Sequence, residues 1–375
     1  MKIYLINAPW KDAFCRTQRW PVVNRTEALR YPDWLAYDTA VLEEAGYDVF
    51  FVDYIANKLG HKGLYEDIER DKPDILVMEL TTPSYFNDFE IAKRCKELGV
   101  KTVIFTGPHV TVFPEQSLRD SKGSLDIVAI GEHDYTVLDI VKSLEKKEPL
   151  QTVKGIAFLE NNQFIRTQNR PLIENLDSLP FMAWHHLDVK QYHNHTYYYP
   201  YIDMIAGRGC PNKCTFCLWP QTMMGQRYRL RSAKNVYDEM VFHYTNLKVK
   251  EIFFEDDTLT ANRKRLKELC ELIIAGNVKM TWSCNCRCDL NDYELLCLMK
   301  KAGCRMLVGP ESGNQEILNN VNKNLTIEQI EDFCKKAKKA DLTLHSCWVF
   351  GLPGETKETI QQTIDFVMKL NTDTI

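Results

Sequence analysis

Short apolar runs alternate with amphipathic segments along most of the 375 residues, and this alternation limits the chain to the α/β class. In residues 1–145 the runs predict strands joined by helices, which together form a doubly wound parallel sheet. Residues 201–375 repeat the pattern in the manner of a (β/α) barrel, and residues 146–200 predict a connector with a small hairpin. Because parallel strands bind ligands at their carboxyl ends, we expect the functional residues just after the strands.

A loop with three cysteines follows the first apolar run of the second stretch. Cys210, Cys214 and Cys217 have the spacing C-x3-C-x2-C. Three thiolates on one tight loop can hold three irons of a [4Fe–4S] cube and leave the fourth iron open to a substrate. A zinc knuckle, the alternative, needs a fourth ligand at regular spacing. The nearest candidates, none of them regularly spaced, are His185, His186, His193 and His195.

This loop resembles the signature of the radical S-adenosylmethionine (radical SAM) superfamily. The resemblance implies that S-adenosylmethionine (SAM) binds at the open iron, with its groups held by the loop and by four strand ends. The positions that match are Phe216, Glu255, Asp256, Asp257, Arg287, Glu311, Ser312, Gly351 and Leu352.

The resemblance also assigns a role to each of these positions. Phe216 would stack on the adenine, the three acids would meet the amino group of SAM, and Arg287 would meet its carboxylate. Glu311 and Ser312 would bind the ribose hydroxyls or the methionine end, and the glycine turn at Gly351 would admit the adenine edge. Adjacent acids can equally cap the helix that follows them.

Residues 1–145 resemble the cobalamin-binding domain that precedes many radical SAM barrels. The likeness is clearest where Gly107-Pro108-His109 and Gly131-Glu132 follow apolar runs. The positions that the resemblance places around cobalamin are Pro9, Thr82, Gly107, Pro108, His109, Gly131 and Glu132.

One departure from that domain concerns the cobalt ligand. The familiar fold carries an Asp-x-His-x-x-Gly loop after its first strand, whereas no histidine precedes His61 here. A histidine after a Gly-Pro turn, such as His109, more often stabilises its loop than ligates a metal. We therefore expect any bound cobalamin to lack a histidine ligand, and related proteins also keep this domain without the cofactor.

The superfamily resemblance implies reductive cleavage of SAM to a 5′-deoxyadenosyl radical, which removes hydrogen from an unactivated carbon. A local likeness at Cys217-Leu-Trp-Pro-Gln-Thr to hopanoid and archaeal lipid-headgroup enzymes predicts carbon–carbon bond formation or rearrangement. The alternative is a cobalamin-dependent C-methyltransferase; an iron–sulfur electron carrier fits the SAM-binding strand ends poorly. The implied partners are a small-molecule or lipid substrate and an electron donor such as flavodoxin or ferredoxin.

Composition excludes several other classes. The net charge of −4, without a dense Lys/Arg block, gives no basis for nucleic-acid binding. No apolar run approaches the length of a membrane span, and the first residues lack the features of a signal peptide. Thirteen cysteines in such a chain predict a reducing cytoplasmic location.

Two further groups of residues are open to more than one interpretation. Cys284, Cys286 and Cys288 look like a second metal site, but alternate residues of a strand share one face. If Arg287 faces the barrel interior, these thiols face the helices and are packing residues. The run Arg227–Ser232 could either bind an anionic substrate or cap the barrel rim.

The carboxyl end of the chain bears on the number of barrel strands. Barrels that resemble this one have six strands, whereas here the last helical pattern is followed only by Asn371-Thr-Asp-Thr-Ile. We therefore expect a partial barrel, cut before its sixth strand, with the edge of the fifth strand unpaired.

Overall fold

The computed structural model describes residues 1–16, 22–23, 27–290 and 292–375. The chain divides into two compact units. The first comprises residues 1–197 and 221–224, and the second comprises residues 198–220 and 225–375.

The first unit is built on a mainly parallel sheet with helices between its strands. Its strands are β1 (Lys2–Asn7), β2 (Phe14–Cys15), β3 (Val22–Val23), β4 (Asp48–Asp53), β5 (Ile75–Glu79), β6 (Thr102–Thr106), β7 (Ile127–Ala129), β8 (Ile156–Glu160) and β9 (Gln163–Arg166). Its helices are α1 (Asp33–Glu44), α2 (Gly60–Asp71), α3 (Tyr85–Glu97), α4 (Pro108–Val112), α5 (Pro114–Asp120) and α6 (Asp134–Lys146). Short 3-10 helices span Leu150–Thr152, Leu176–Ser178, Trp184–His186 and Val189–Gln191.

The order of the sheet is β4-β1-β5-β6-β7-β8-β9. The strands from β4 to β7 are parallel, and the connector hairpin adds β8 and β9 in antiparallel orientation. All residues of β5 are buried, as expected for a strand with helices on both faces. The strand order reverses between β1 and β5, and open sheets of this kind bind ligands in the crevice at that point.

The second unit repeats strand and helix. Its strands are β10 (Tyr201–Met204), β11 (Gly207–Arg208), β12 (Arg229–Leu230), β13 (Glu251–Phe254), β14 (Thr281–Cys286), β15 (Cys304–Glu311) and β16 (Leu344–Trp348). Its helices are α7 (Ala233–Asn246), α8 (Arg263–Ala275), α9 (Tyr293–Lys301), α10 (Gln315–Asn320), α11 (Ile327–Lys339) and α12 (Lys357–Leu370). A π-helix spans Pro220–Met224, and a 3-10 helix spans Leu259–Ala261.

Five parallel strands in the order β10-β13-β14-β15-β16 form the sheet of this unit. This arrangement agrees with the predicted partial barrel and with the α/β class. The outer edge of β16 was expected to be unpaired, but it is partly paired. Thr374 forms a parallel bridge with His345, and the carbonyl of Thr374 accepts from Ser346 N at 3.0 Å. Among the described residues, no helix combines the length and the apolar character needed to cross a membrane.

The buried cysteines of β14 face the helical layer, as the alternation predicted. Thr260, in the 3-10 helix, donates to Cys286 Sγ at 3.4 Å. Burial raises the pKa of Cys286 and of Cys288 well above the ordinary thiol value. Asn285 points to the opposite face and donates to the carbonyl of Asp256 at 2.9 Å. These thiols are therefore packing groups.

Candidate functional site

The loop with three cysteines is held between two short strands of the second unit. β11 and β12 pair antiparallel, with Gly207 opposite Leu230. The ring of Tyr228 packs so closely on Gly207 that a Cβ atom there would lie 2.5 Å from it, so only glycine fits. Within the loop, Cys217 N donates to Cys214 O at 3.2 Å.

The sulfur atoms of this loop have polar neighbours that suit thiolates. Cys210 and Cys214 are buried, and Cys217 is half-buried. Asn212 Nδ2 donates to Cys210 Sγ at 3.4 Å, and Arg287 Nη1 donates to Cys214 Sγ at 3.9 Å. Burial raises the pKa of the Cys210 thiol, so its thiolate requires a positive partner such as iron. The donor set therefore fits a cluster held by three thiolates.

A lysine that the sequence did not single out joins several predicted SAM-binding residues. Lys323 Nζ forms an ion pair with Glu311 Oε1 at 2.6 Å and lies 5.8 Å from the centre of the Phe216 ring. Arg287 Nη2 donates to the carbonyl of Lys323 at 2.8 Å. Burial opposes the charge on Lys323, but the Glu311 carboxylate raises its pKa. Lys323 lies in the loop after α10, outside any strand end or motif, so the sequence carried no signal for it.

Glu311 itself has an unusual backbone. Its φ of 68° lies in the left-handed region, which non-glycine residues adopt only at a cost of about 1 kcal/mol or more. Its carbonyl accepts from Val349 N at 3.0 Å, and its carboxylate is held by Lys323. The strained residue thus ends β15 in a position fixed from both sides.

The acidic run after β13 contains a positioning residue. Asp256 is buried, and its carboxylate accepts from Ala206 N at 3.1 Å and from Gly207 N at 2.5 Å. Burial raises the pKa of Asp256 to about 7. Asp256 therefore fixes the start of the cysteine loop. Of its neighbours, Glu255 is buried and Asp257 is half-buried.

The other predicted positions are bound within their own turns. Ser312 Oγ lies 3.2 Å from Thr363 Oγ1 and accepts from the backbone of Asn314 at the start of α10. The backbone N–H groups of Gly351 and Leu352 both donate to the carboxylate of Glu355. These strand ends are rigid turns, and their side chains and N–H groups hold the turns together.

In the first unit, the predicted cobalamin positions follow the parallel strands. Pro9 follows β1, Thr82 follows β5, and Gly107 follows β6. Gly107 has a φ of 104°, and a Cβ atom there would lie 3.0 Å from Glu79 Cγ. Thr82 Oγ1 lies 2.9 Å from His109 Nδ1, as expected for a histidine that stabilises its loop. Burial lowers the pKa of His109, which keeps its ring neutral.

The loop after β7 holds the remaining predicted positions. Gly131 N donates to Thr111 Oγ1 at 3.0 Å, and nothing lies within 4 Å of the place where a Cβ atom would be. Glu132 is buried, and its carboxylate accepts from Ile173 N at 2.8 Å. Gly131 thus presents open backbone at this edge, whereas Glu132 anchors the connector. The last predicted position, Pro108, is the buried first residue of α4.

A buried ion pair that no sequence pattern predicted joins the crevice loops. Arg16 Nη1 lies 2.7 Å from Asp88 Oδ2, and its Nη2 donates to Ala8 O at 2.9 Å. Ser84 donates to the same carboxylate at 2.6 Å. The pair therefore joins the loop after β1 to the start of α3, on either side of the order reversal. Arg16 and Asp88 are 72 residues apart, and no local pattern links them.

The surface around His109 is rich in aromatic rings. The His109 ring lies 4.8 Å from Tyr85 and 5.6 Å from Phe113. Beside them Phe86 is 80 % exposed, and Val112 is half exposed. Exposed apolar groups of this kind mark ligand or partner surfaces. With the open backbone at Gly131, they fit a large flat macrocycle such as cobalamin.

A cavity of about 940 Å³ also lies in the second unit, at the amino ends of its strands. Its lining includes Lys250 and Thr281, at the starts of β13 and β14. Chemistry in (β/α) barrels gathers at the opposite ends, where the cysteine loop lies. We therefore assign this cavity no part in the site.

Comparison with known proteins matches both halves of the sequence. Residues 204–367 match the radical SAM superfamily, and residues 20–141 match the B12 binding domain. An uncharacterized methyltransferase of Pyrococcus horikoshii is 31 % identical over 375 residues, which are 100 % of this chain and 79 % of that protein. The chain belongs to the radical SAM superfamily, in a group that carries a B12-binding domain. These domains imply a [4Fe–4S] cluster, SAM and cobalamin as cofactors.

Other relatives are longer than this chain. The anaerobic magnesium-protoporphyrin IX monomethyl ester cyclase of Cereibacter sphaeroides is 31 % identical over 346 residues, which are 88 % of this chain but 55 % of the cyclase. Cytidylyl-2-hydroxyethylphosphonate methyltransferase of Streptomyces wedmorensis is 26 % identical, and the aligned region covers 90 % of this chain and 73 % of that protein. This chain thus spans little more than half of the cyclase.

Solved structures share the fold. The radical SAM methyltransferase TsrM from Kitasatospora setae, with cobalamin and a [4Fe–4S] cluster bound, has a TM-score of 0.79 at 17 % identity and covers 99 % of this chain and 70 % of its own. The cobalamin-dependent S-adenosylmethionine radical enzyme OxsB has a TM-score of 0.81 at 16 % identity, and the match covers 98 % of this chain and 51 % of the OxsB chain.

Proposed function

We propose that this chain is a cobalamin-dependent radical SAM methyltransferase. The observation that carries the proposal is the similarity of the whole chain to the uncharacterized methyltransferase of P. horikoshii, in a chain that has both a three-cysteine loop and a B12-binding sheet. The predicted carbon–carbon coupling or rearrangement in lipid biosynthesis is less well supported. The relatives described above are named as methyltransferases and as a cyclase. They therefore favour the alternative predicted from the sequence, a cobalamin-dependent methyltransferase.

The second unit would bind and orient SAM at the cysteine loop. Cys210, Cys214 and Cys217 would hold the cluster, which would supply the electron for cleavage of SAM. Arg287 and Lys323 place two positive charges near the sulfurs, which offsets the negative charge of the thiolates. The turns around them are held by internal hydrogen bonds, so little reorganisation accompanies binding.

The first unit would hold the macrocycle at the carboxyl ends of β1, β5 and β6. Bound cobalamin would act as the carrier of the methyl group. Thr82 and His109 offer neutral hydrogen-bonding groups at the crevice edge, and Gly107 keeps the loop close to β5. The Arg16–Asp88 pair fixes the flanking loops from beneath.

A ring-forming reaction is the second candidate function. Its support is the 31 % identity to the magnesium-protoporphyrin IX monomethyl ester cyclase of C. sphaeroides. The substrate is a small molecule or a lipid in either case. We further propose a cytoplasmic location and an external one-electron donor such as flavodoxin or ferredoxin.

Product analysis separates the two functions. The cluster-loaded protein is incubated anaerobically with CD3-labelled SAM, a chemical reductant and a small-molecule extract, with and without cobalamin. Methyl transfer predicts S-adenosylhomocysteine and CD3-labelled products that require cobalamin. Formation of 5′-deoxyadenosine alone, unaffected by cobalamin, would refute methyl transfer and favour coupling, rearrangement or ring formation.

A further inference from the structure

Three metal-ligand side chains converge in the first unit, at the end of α1. Glu43 lies in the last turn of α1, and His185 and His186 end the 3-10 helix Trp184–His186. The Nε2 atoms of His186 and His185 lie 2.7 Å and 3.1 Å from the same oxygen, Oε1 of Glu43. The two imidazole rings are 4.4 Å apart.

The positions of the two histidines are set by contacts that do not involve Glu43. Ala183 N, at the start of this segment, donates to the carbonyl of Ala36 in α1 at 3.1 Å. The buried rings of Tyr31 and Trp184 lie 5.0 Å apart. The connector is thus fixed along α1, and both imidazoles are directed to the end of that helix before any ion binds.

We propose that Glu43, His185 and His186 bind a divalent transition-metal ion of the zinc class. Zinc takes imidazole nitrogen at about 2.0–2.1 Å and carboxylate oxygen at about 2.0–2.2 Å, which places tetrahedral ligands about 3.3 Å from one another. The observed distances to Glu43 Oε1, 2.7 Å and 3.1 Å, are shorter than this separation by about 0.6 Å and 0.2 Å, and the three ligand atoms lie within 4.8 Å of one another. Side-chain shifts of this size create the site.

The protonation states of the two histidines are compatible with replacing their hydrogen bonds to Glu43 by bonds to a metal ion. Without a metal, each Nε2–H donates to the carboxylate. A bound metal takes the lone pair of Nε2, and the ring proton then resides on Nδ1. The His185 side chain is 64 % exposed, so water can complete the coordination shell. The ion would join the end of α1 to the connector and stabilise the first unit.

Zinc binding to the cluster-loaded, full-length protein tests the proposal. The protein, free of any affinity tag, is equilibrated with zinc chloride and desalted anaerobically, and zinc and iron are measured by mass spectrometry. We expect one zinc per chain with unchanged iron, together with a rise in the unfolding temperature of the first unit. Glu43→Gln and His186→Asn should lose both the zinc and the temperature shift.

Glu44→Gln is the matched control, because Glu44 is the next residue of α1 and is exposed. It should bind zinc as the unmodified protein does. Absence of zinc from the unmodified protein, equal zinc in the Glu43→Gln variant, or zinc gained only as iron is lost from the cysteine loop would each overturn the proposal.

Discussion

The two sites differ in where they keep their charges. In the second unit Arg287, Glu311 and Lys323 are buried, joined to one another and close to the cysteine loop. In the first unit the crevice edge presents neutral groups, and the buried pair Arg16–Asp88 lies beneath the loops. Buried charges persist only where each is paired. The arrangement in the second unit suits a small charged ligand, and the arrangement in the first unit suits a ligand with a large neutral face.

The difference teaches that buried charge has two uses in this chain. In the second unit the charged side chains lie beside the cysteine loop, where the proposed ligand would bind, whereas in the first unit a buried pair holds the loops beneath neutral groups. Substitutions in the second unit should therefore affect the chemistry of SAM. Those in the first unit should affect retention of cobalamin.

The cysteine loop should give the largest effect. Cys210→Ala, Cys214→Ala and Cys217→Ala should each abolish cleavage of SAM, because three thiolates are needed to hold the cluster. Iron content and 5′-deoxyadenosine measure the result. Cys284→Ala and Cys286→Ala, in the packing layer, should keep their iron. Iron retained in Cys214→Ala but lost from Cys286→Ala would place the site elsewhere.

Arg231, in the Arg227–Ser232 run, tests a buried charge of the second unit that is paired within the fold. It is buried and pairs with Glu239 of α7. Arg231→Met should lower the free energy of unfolding by about 3–5 kcal/mol, because Glu239 is left charged and buried. Lys234→Met removes an exposed ion pair with Asp238 and should cost less than about 1 kcal/mol.

The loss in Arg231→Met should depend on pH. Burial alone would raise the pKa of Glu239, but Arg231 and His243 lower it from 4.5 to about 2. A lowered folded-state pKa contributes stability that is fully present above 4.5 and is lost as the pH falls toward 2. The difference between the variant and the unmodified protein should therefore shrink in acid, as measured by urea unfolding. A difference that grows in acid would contradict this assignment.

Arg16→Met makes the corresponding change in the first unit. Asp88 then remains buried without its guanidinium partner, and we expect a destabilisation of about 3–5 kcal/mol and loss of bound cobalamin on gel filtration. Cleavage of SAM should persist. Arg119→Met, which removes an exposed pair with Glu115, should retain cobalamin. Parallel loss of SAM cleavage in Arg16→Met would break the comparison between the two sites.

Two glycines allow a smaller, matched test. Gly207→Ala brings a methyl group against Tyr228, and Gly107→Ala brings one against Glu79 at a φ of 104°. Each should cost about 1–3 kcal/mol, with the first lowering iron content and the second lowering cobalamin content. Gly123→Ala, at a φ of 89° with open space around it, should leave both cofactors unchanged. Loss of the same cofactor in both variants would show that the sites are not separable.

The smallest expected effect is spectroscopic. His109 Nδ1 lies 2.9 Å from Thr82 Oγ1, and His61 Nε2 lies 2.9 Å from Asn87 Oδ1. Each ring thus stabilises its own surroundings, and we expect neither to ligate cobalt. The electron paramagnetic resonance spectrum of bound cob(II)alamin should be the same in the unmodified protein, His109→Ala and His61→Ala. Nitrogen splitting that disappears with either substitution would identify a histidine ligand.

The sequence alone determined the features that are local in the chain. The alternation of apolar runs with amphipathic segments predicted the α/β class and the parallel strands of both units, such as β14 and β16. The cysteine spacing is equally local, because three residues on one loop need no distant partner. Helix α2 leaves only a weak periodic signal in the sequence, because Leu64 and Ile68 are the buried apolar residues among its 12.

The tertiary structure decided which distant side chains meet. Lys323 lies 12 residues from Glu311, Arg16 lies 72 residues from Asp88, and Glu43 lies 142 residues from His185. Periodicity shows which face of an element is buried, but not which loop packs against that face. That choice depends on the strand order of each sheet and on the packing of the helices over it, and both are set by contacts far apart in the chain.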